Sequence, residues 1–322
     1  MKKLFRALIA GISIAVCCAA GAQPYPSHPI TLVIPSAPGG ILDVLARMIG
    51  DAMQAEWGQP AVVLHKPGAA GIIGSEFVAK AKPDGYTLLM GNVGPLGINP
   101  ALYPALPYDA VADFAPVAQL ATFPNVLVVG SKVPAGSVAE VIALAKQKPG
   151  ALTYASPGIG QTQHLSGEVF MRMTGMDIVH VPYKGTGPAL VDVVGGQVTM
   201  MFSNLSPALP LVKAGKLKAL AVTGRQRSAA LPDVPTMSEA GVAGYEVMSW
   251  VGLVAPAGTS PEIIQRLHAL VAKTMKTPAA IEKYEGMGAA PGTGSSTDLG
   301  AFIKSEIAKW TKVVREGGIK PE

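Results

Sequence analysis

The chain carries only two cysteines in 322 residues, and both, Cys17 and Cys18, lie near its start. No thiol remains beyond them, so disulfides, thiolate nucleophiles and cysteine metal ligands are excluded for the rest of the protein. Charge is sparse, at 15% Asp, Glu, Lys and Arg, and aromatics make up 6%. No concentrated basic face emerges, which argues against a nucleic-acid partner. The apolar run Ala7 to Ala20 is shorter than the roughly 20 residues a membrane span needs, and no later stretch supports one. Catalytic signatures are missing too: no G-x-S-x-G elbow, no G-x-x-x-x-G-K-[ST] loop and no H-E-x-x-H. His28, His65, His164, His180 and His268 are scattered without metal-ligand spacing, so no metal is expected. Gly158-Ile159-Gly160 continues as Gln161-Thr162-Gln163 and lacks the third glycine of a dinucleotide fingerprint, so no cofactor is expected either.

What is present begins with a targeting signal over residues 1–22. Lys2, Lys3 and Arg6 form a positive region ahead of the apolar run, and Ala20-Gly21-Ala22 fits small-residue cleavage. The expectation is an exported, periplasmic protein cleaved after Ala22, with Gln23 as its first mature residue. A lipid anchor is disfavoured, because Cys17 follows Val16 rather than a small residue. Removing the three signal cations from the total of 26 leaves 23 against 21 acidic groups, so the mature chain is close to neutral. A composition 49% hydrophobic is that of a globular protein, and roughly 300 mature residues favour two domains.

Two stretches stand out. Ile30 to Ile34 reads as a buried strand, followed by Pro35-Ser36-Ala37-Pro38-Gly39-Gly40 and a helix from Ile41; Leu152 to Tyr154 is followed by Ala155-Ser156-Pro157-Gly158-Ile159-Gly160 and a helix from about Thr162. Glycines permit close approach of backbone to a ligand, and a helix start offers unpaired N–H groups under a partial positive charge. Each turn is therefore a candidate anion site made of backbone, and two of them suggest a pair of jaws.

The remaining chain alternates in the same way. Leu45, Met48, Ile49, Ala52 and Met53 have helical spacing; Ala61 to Leu64 and Tyr86 to Met90 read as strands, the latter followed by Gly91-Asn92-Val93-Gly94-Pro95. Asn99 to Pro116 reads as irregular. Strands are expected at Val126 to Val129, Ile178 to Val181, Val198 to Phe202 and Ala219 to Val222, and Tyr245 to Val254 as an extended segment crossing back to the first half. Ser137 and Glu140 form a capping box, Thr186 caps a short helix, Leu165, Val169 and Met173 share one helical face, Ser260-Pro261 starts a helix, and Thr297 opens the last one. Strand–helix alternation argues an α/β protein with a largely parallel sheet in each half, ligands sitting at the carboxyl ends of strands.

Several side chains near these turns have two readings. His164 faces a bound anion or bonds loop backbone. Asp43 complements its helix start or anchors a ligand amine. Ser203 and Asn204 bond ligand oxygens or serve an ordinary turn. Tyr183 and Lys184 point to the cleft or to solvent, and Trp250 reads as core or hinge packing.

Taken together, Ile34-Pro35-x-x-Pro38-Gly39-Gly40 with Asp43-x-x-Ala46-Arg47, Pro83-Asp84-Gly85-Tyr86-Thr87-Leu88, Tyr154-Ala155-Ser156-Pro157-Gly158 with Gln163-His164-Leu165, Val181-Pro182-Tyr183-Lys184-Gly185 and Leu231-Pro232-Asp233-Val234-Pro235-Thr236 closely resemble the tripartite tricarboxylate transporter substrate-binding receptors, also called Bug-type periplasmic receptors. The resemblance covers essentially the whole mature chain. It implies a type II periplasmic-binding-protein fold, two α/β lobes with a ligand cleft between them: lobe 1 from 23–124 and 248–322, lobe 2 from 125–247. It implies a non-enzymatic monomer that holds a small carboxylate largely through loop backbone and water, and delivers it to a membrane permease of one large and one small subunit. On this chain the walls would be Ser36, Ala37, Pro38, Gly39, Gly40 and Asp43 with Asn92 and Val93, facing Ser156, Pro157, Gly158, Gly160, Thr162, His164, Tyr183, Ser203 and Asn204. Many relatives have an acidic residue where this chain has Ser203, which points to a plain carboxylate or neutral group rather than an amino acid. The alternatives are a ligand-loaded sensor docking on a signalling partner, and a secreted enzyme disfavoured by the missing nucleophile and metal constellations.

Overall fold

Ile30, Leu32 and Ile34 pack into one core while Val33, between them, enters another. A strand buried on both faces is the signature of a parallel sheet covered by helices. This strand, β1 (Ile30–Ile34), pairs in parallel with β2 (Ala61–His65) and β3 (Thr87–Asn92). The structure, a computed structural model, describes residues 25–321. The expected signal and cleavage point, with both cysteines, lie outside those residues.

Helix α1 (Ile41–Trp57) buries Leu45, Met48, Ile49 and Met53 against this sheet and ends at Gly58 with φ 68°. A short 3-10 turn, Ala69–Gly71, leads into α2 (Ile72–Ala79). After β3 the chain makes a π-helical turn, Gly94–Ile98, that runs into the one-turn α3 (Asn99–Leu102). Sequence reading expected irregular structure from Asn99; the turn is held by Tyr108, whose hydroxyl donates to the Pro95 carbonyl across the loop.

The 17-residue β4 (Phe114–Gly130) is the largest departure from expectation. Sequence reading found only its last third, because Pro116 and Pro124 obscure the rest. Its first part pairs antiparallel with β9 (Met248–Pro256), and its second part with β7 (Met200–Asn204) and β8 (Leu217–Val222). Both prolines sit beside register irregularities or at the strand crossing, where a missing N–H is tolerated. The second half repeats the first: β5 (Thr153–Ser156) pairs in parallel with β6 (Val179–Pro182) and β7. Among the described residues ten strands join in the order β2-β1-β3-β9-β4-β7-β5-β6, with β8 and the short β10 (Ala290–Pro291) also on β4. Each half is therefore parallel at one side and antiparallel where β4 and β9 cross.

The helices of the second half are α4 (Val138–Gln147), α5 (Thr162–Thr174), α6 (Thr186–Gly195) and α7 (Leu205–Lys213), and α8 (Pro261–Thr274), α9 (Pro278–Met287) and α10 (Ser296–Gly317) follow β9. Caps refine the expected starts. Ser137 does accept from Glu140 N–H, but the Glu140 carboxylate takes Gly136 N–H instead of completing the box. Thr186 is the first helical residue behind an N-cap at Gly185, and α10 starts one residue early through a Ser295–Asp298 box. On α5 the buried face is Leu165, Ser166 and Phe170, and Met173 is exposed.

Candidate functional site

The crossing of β4 and β9 fixes where the loops go. The last residue of β3, Asn92, lies opposite Val251 of β9; the last residue of β7, Asn204, lies opposite Asn125 of β4. With β1 parallel to β3 and β5 parallel to β7, the carboxyl ends of all four strands face the crossing, one pair from each half. The two glycine turns read from sequence follow β1 and β5.

In the second turn, Gly158 (φ 139°) and Gly160 (φ 76°) reverse the chain from β5 into α5 in a conformation side chains resist. Gly160 sits against the other half: a Cβ there would meet Leu102 Cδ2 at 3.2 Å, Asn99 Oδ1 at 3.6 Å and Ala70 Cβ at 4.0 Å. A Cβ on Gly94 would lie 3.8 Å from Gln161 Nε2. The Thr162 hydroxyl bonds Ser249 of β9 at 2.6 Å. The start of α5 is thus pressed on the 3-10 turn, the π turn and the crossing strand. The first turn joins the same group through Pro35, which would contact Cβ atoms on Gly71 and Gly74, while Pro95 abuts Gly71.

The individual residues divide. Gly160 and Thr162 lie where the halves meet, Asn92 and Val93 lead into the π turn that Gln161 approaches, and Gly158 lies beside the Tyr183 carbonyl of its own half; Ser36 is half-buried beside Pro35, and Ala37, Pro38, Gly39 and Gly40 are exposed. Asp43 is a cap: Oδ2 accepts from Gly39 N–H at 3.0 Å and Gly40 N–H at 3.2 Å, and Oδ1 bonds His65 Nε2 at 2.7 Å. Two turn amides and a histidine thus use three of the roughly four acceptor sites of this carboxylate. Asp43→Ala should lower stability by about 0.5–2 kcal/mol, the usual cost of a lost cap, measured by urea unfolding; an unchanged midpoint would remove the capping role.

Tyr183, in the loop ahead of α6, donates its hydroxyl to Asp192 on that helix at 2.6 Å, and Lys184 is exposed. Ser203 is fully buried and donates to the Asn204 carbonyl, which is turn chemistry. The Asn204 amide oxygen accepts from Gln163 Nε2 at 2.7 Å. Trp250 is 1% exposed and donates to Glu306, as core packing requires. Gln161, Gln163, Asn99 and Ser249 were missed from sequence. Only Gln163, inside a quoted motif, had a signal; Ser249 and Asn99 enter through the crossing and the π turn. Asn92, Asn99 and Asn125 each bury an amide oxygen that has no donor among the described residues.

His164 and His180, 16 positions apart in sequence, stack with ring centroids at 4.2 Å. The parallel pairing of β5 with β6 places His180 opposite Tyr154, on which it also stacks at 4.8 Å. His180 Nε2 bonds Ser156 Oγ at 2.7 Å, and that hydroxyl also accepts from Gly158 N–H. Burial, followed by the neighbouring His164, pushes the His180 pKa down to about 3, against a smaller raising influence of Glu168. A histidine held neutral in the fold but protonated when unfolded makes stability fall as pH drops from about 6.5 towards 3. His180→Gln should flatten that part of the stability–pH curve; a curve of unchanged slope would exclude His180 as its source.

No group of three or more His, Cys, Asp or Glu suited to a metal occurs among the described residues, and no described helix is long and apolar enough to cross a membrane. A cavity of about 440 Å³, lined by Thr122, Arg225, Arg227, Met248 and Glu285 among others, shares no residue with the converging loops.

Two α/β halves joined by crossing strands, with the start of α5 in one half seated on the loops of the other, are the architecture of a solute-binding protein. Residues 45–319 match the family described as Tripartite tricarboxylate transporter family receptor, and the chain belongs to that family. Protein BugT of Bordetella pertussis is 38% identical over 319 residues, 97% of this chain and 98% of its own. An R. palustris protein solved with adipate aligns at TM-score 0.87 and 40% identity, over 92% of this chain and 100% of that one. MatC from Rhodopseudomonas palustris, solved with bound malate, aligns at 0.82 and 34% identity over 90% and 100%. Periplasmic binding protein BugD aligns at 0.83 and 32% identity over 92% and 100%. The family is one of receptors, not enzymes.

Proposed function

We propose that this protein captures a small organic carboxylate between the Ser36–Gly40 and Asn92–Pro95 loops on one side and the Ser156–Thr162 turn on the other, and delivers it to a membrane permease of one large and one small subunit. The two lobes are residues 23–124 with 248–322, and 125–247, and the receptor acts as an exported monomer. The observation that carries this reading is the pressing of the α5 N-terminus, through Gly160 and Gln161, onto the opposite half at Ala70, Gly94, Asn99 and Leu102. Relatives solved with adipate and with malate support the carboxylate class.

A helix start contributes roughly 0.3–1 kcal/mol to an exposed anion and up to about 2 when partly buried. Micromolar affinity needs about 8 kcal/mol, so dipoles do not suffice. Closure of the lobes, exclusion of water and hydrogen bonds supply the rest. The unpaired amide oxygens of Asn92, Asn99 and Asn125 are where a hydroxyl or water brought in with the ligand gains most, since a buried acceptor left unpaired costs about 1–3 kcal/mol.

The test is a thermal-shift screen of mono-, di- and tricarboxylates, amino acids and aromatic acids. A true ligand at 100 times its dissociation constant adds about 2.7 kcal/mol of stability. A protein indifferent to every acid would end the proposal. Delivery is tested separately, by co-purification of the loaded receptor with the permease; capture of a sensor kinase instead would replace the transport reading.

A further inference from the structure

We propose that Asn92 and Gln161, one from each half, form a subsite for a hydroxyl on the captured acid, so that the receptor selects hydroxycarboxylates over their unsubstituted, keto and amino counterparts. The inference rests on the receptor reading above and names the ligand class of that site.

Asn92 is the last residue of β3, and Gln161 is the N-cap of α5, so each is placed by an element of its own half. They come together over Gly94. A Cβ on that glycine would lie 3.4 Å from Asn92 Oδ1 and 3.8 Å from Gln161 Nε2. Any side chain there would stand between the two amides, and glycine leaves the space open. Asn92 Oδ1 is buried without a donor, and Gln161 Nε2 has no hydrogen-bond partner among the described residues. Neighbouring polar groups are already committed: Gly160 N–H to His164 Nδ1, the Gln163 amide to Asn204, and the Asn125 amide nitrogen to Ser166.

The wall beneath is held in place for this. Asn99 is fully buried and donates Nδ2 to the Ala70 carbonyl at 3.1 Å. Its own Oδ1 is a second buried acceptor without a donor, 3.6 Å from where a Cβ on Gly160 would be. Ala69 and Ala70 hold φ of 46° and 52°, the only positive values outside glycine among the described residues. Such conformations are costly and concentrate where a binding surface requires them.

Whatever enters this gap has two tasks, to donate to Asn92 Oδ1 and to accept from Gln161 Nε2. A hydroxyl does both. A keto oxygen accepts, but it sets lone pairs against Asn92 Oδ1. An ammonium donates, but it turns N–H groups towards the Gln161 donor. A methylene does neither and strands the buried acceptor. Sites that hydrogen-bond a ligand hydroxyl reject the analogue lacking it for this reason. A water in the gap would serve every acid equally, and the acids would then bind alike.

The experiment is calorimetric titration at about pH 7.5, where every carboxylate is ionised, with two matched series. One is succinate, malate, oxaloacetate and aspartate; the other is adipate with its 2-hydroxy, 2-oxo and 2-amino derivatives, chiral members as separate enantiomers. The malate hydroxyl is α to one carboxylate and β to the other, so it samples both placements. In at least one series, one enantiomer of the hydroxy acid should bind roughly 5- to 150-fold more tightly than the unsubstituted acid, the worth of two ordinary hydrogen bonds. Gln161→Leu and Asn92→Ala should each remove roughly 2- to 12-fold of that preference, and the double variant should abolish it. Gln161→Leu replaces a half-buried side chain that bonds nothing, so it keeps the test open should Asn92→Ala fail to fold. A preference below about fivefold in both series, a keto or amino acid that binds as tightly as the hydroxy acid, or a preference that survives Gln161→Leu undiminished overturns the subsite and leaves the receptor reading intact. So does failure of both hydroxy acids where the thermal screen finds another ligand. No binding of any acid removes both.

Discussion

Replacing Glu306 by leucine should lower the unfolding free energy by roughly 2–5 kcal/mol, although leucine fits the same volume. Glu306 is 6% exposed on α10, and its Oε2 accepts from two indoles, Trp250 Nε1 and Trp310 Nε1, both at 3.0 Å. Lys309 reaches its other oxygen at 3.2 Å. Trp250 lies on the crossing strand and Trp310 on the C-terminal helix, both 1% exposed or less, so one carboxylate ties that helix to the hinge. Without it two buried N–H groups lose their acceptor, at about 1–3 kcal/mol each; relief from desolvating a charge offsets part of this. Glu306→Gln keeps an oxygen that can serve both indoles and should cost only about 1 kcal/mol, the worth of an ordinary hydrogen bond. Urea unfolding measures both, with a shifted midpoint and an unchanged slope as the mark of a stability effect. In a double-mutant cycle, Trp250→Phe should recover at least about 0.5 kcal/mol in the Glu306→Leu background. Equal midpoints for the Leu and Gln variants would show that the indoles do not depend on this carboxylate.

The elements that positioned the site were largely legible. Hydrophobic spacing in Leu45 to Met53 and the glycine stops at Gly175 and Gly196 are local signals, and helices end where those glycines adopt φ 65° and 79°. The order of motifs then identified the family, and with it the fold. What was not legible depends on strands far apart in sequence. Nothing local says that Pro116 and Pro124 lie inside one strand, since the tolerance comes from pairing with β9. The His164–His180 stack arises from the parallel register of β5 and β6, and the Thr162–Ser249 bond from a strand 87 residues on. Asp43 was legible as a cap from its spacing to Gly40, whereas its bond to His65 depends on the neighbouring strand.

Placing valine at Gly160 tests the meeting of the walls itself. The position has φ 76°, where a β-branched residue carries about 1–3 kcal/mol of backbone strain. Its Cβ would lie 3.2 Å from Leu102 Cδ2, and the γ-methyls reach further, so overpacking adds about 1–3 kcal/mol. The clash is with the opposite half, so it can be relieved by holding the halves apart, whereas the strain cannot. Melting should therefore fall modestly, while affinity for the acid selected by the thermal screen should fall by the clash term of about 1–3 kcal/mol, roughly 5- to 160-fold. Gly196→Val supplies the comparison: φ is 79° and a Cβ meets nothing within 4 Å, so it carries the strain without the clash. That variant should melt earlier yet bind normally. Leu102→Ala should restore part of the affinity lost in Gly160→Val, because it vacates the atom the new side chain strikes. Gly160→Val binding within about threefold of the unmutated protein, a difference under about 1 kcal/mol, would mean that these walls stand apart when the ligand is held.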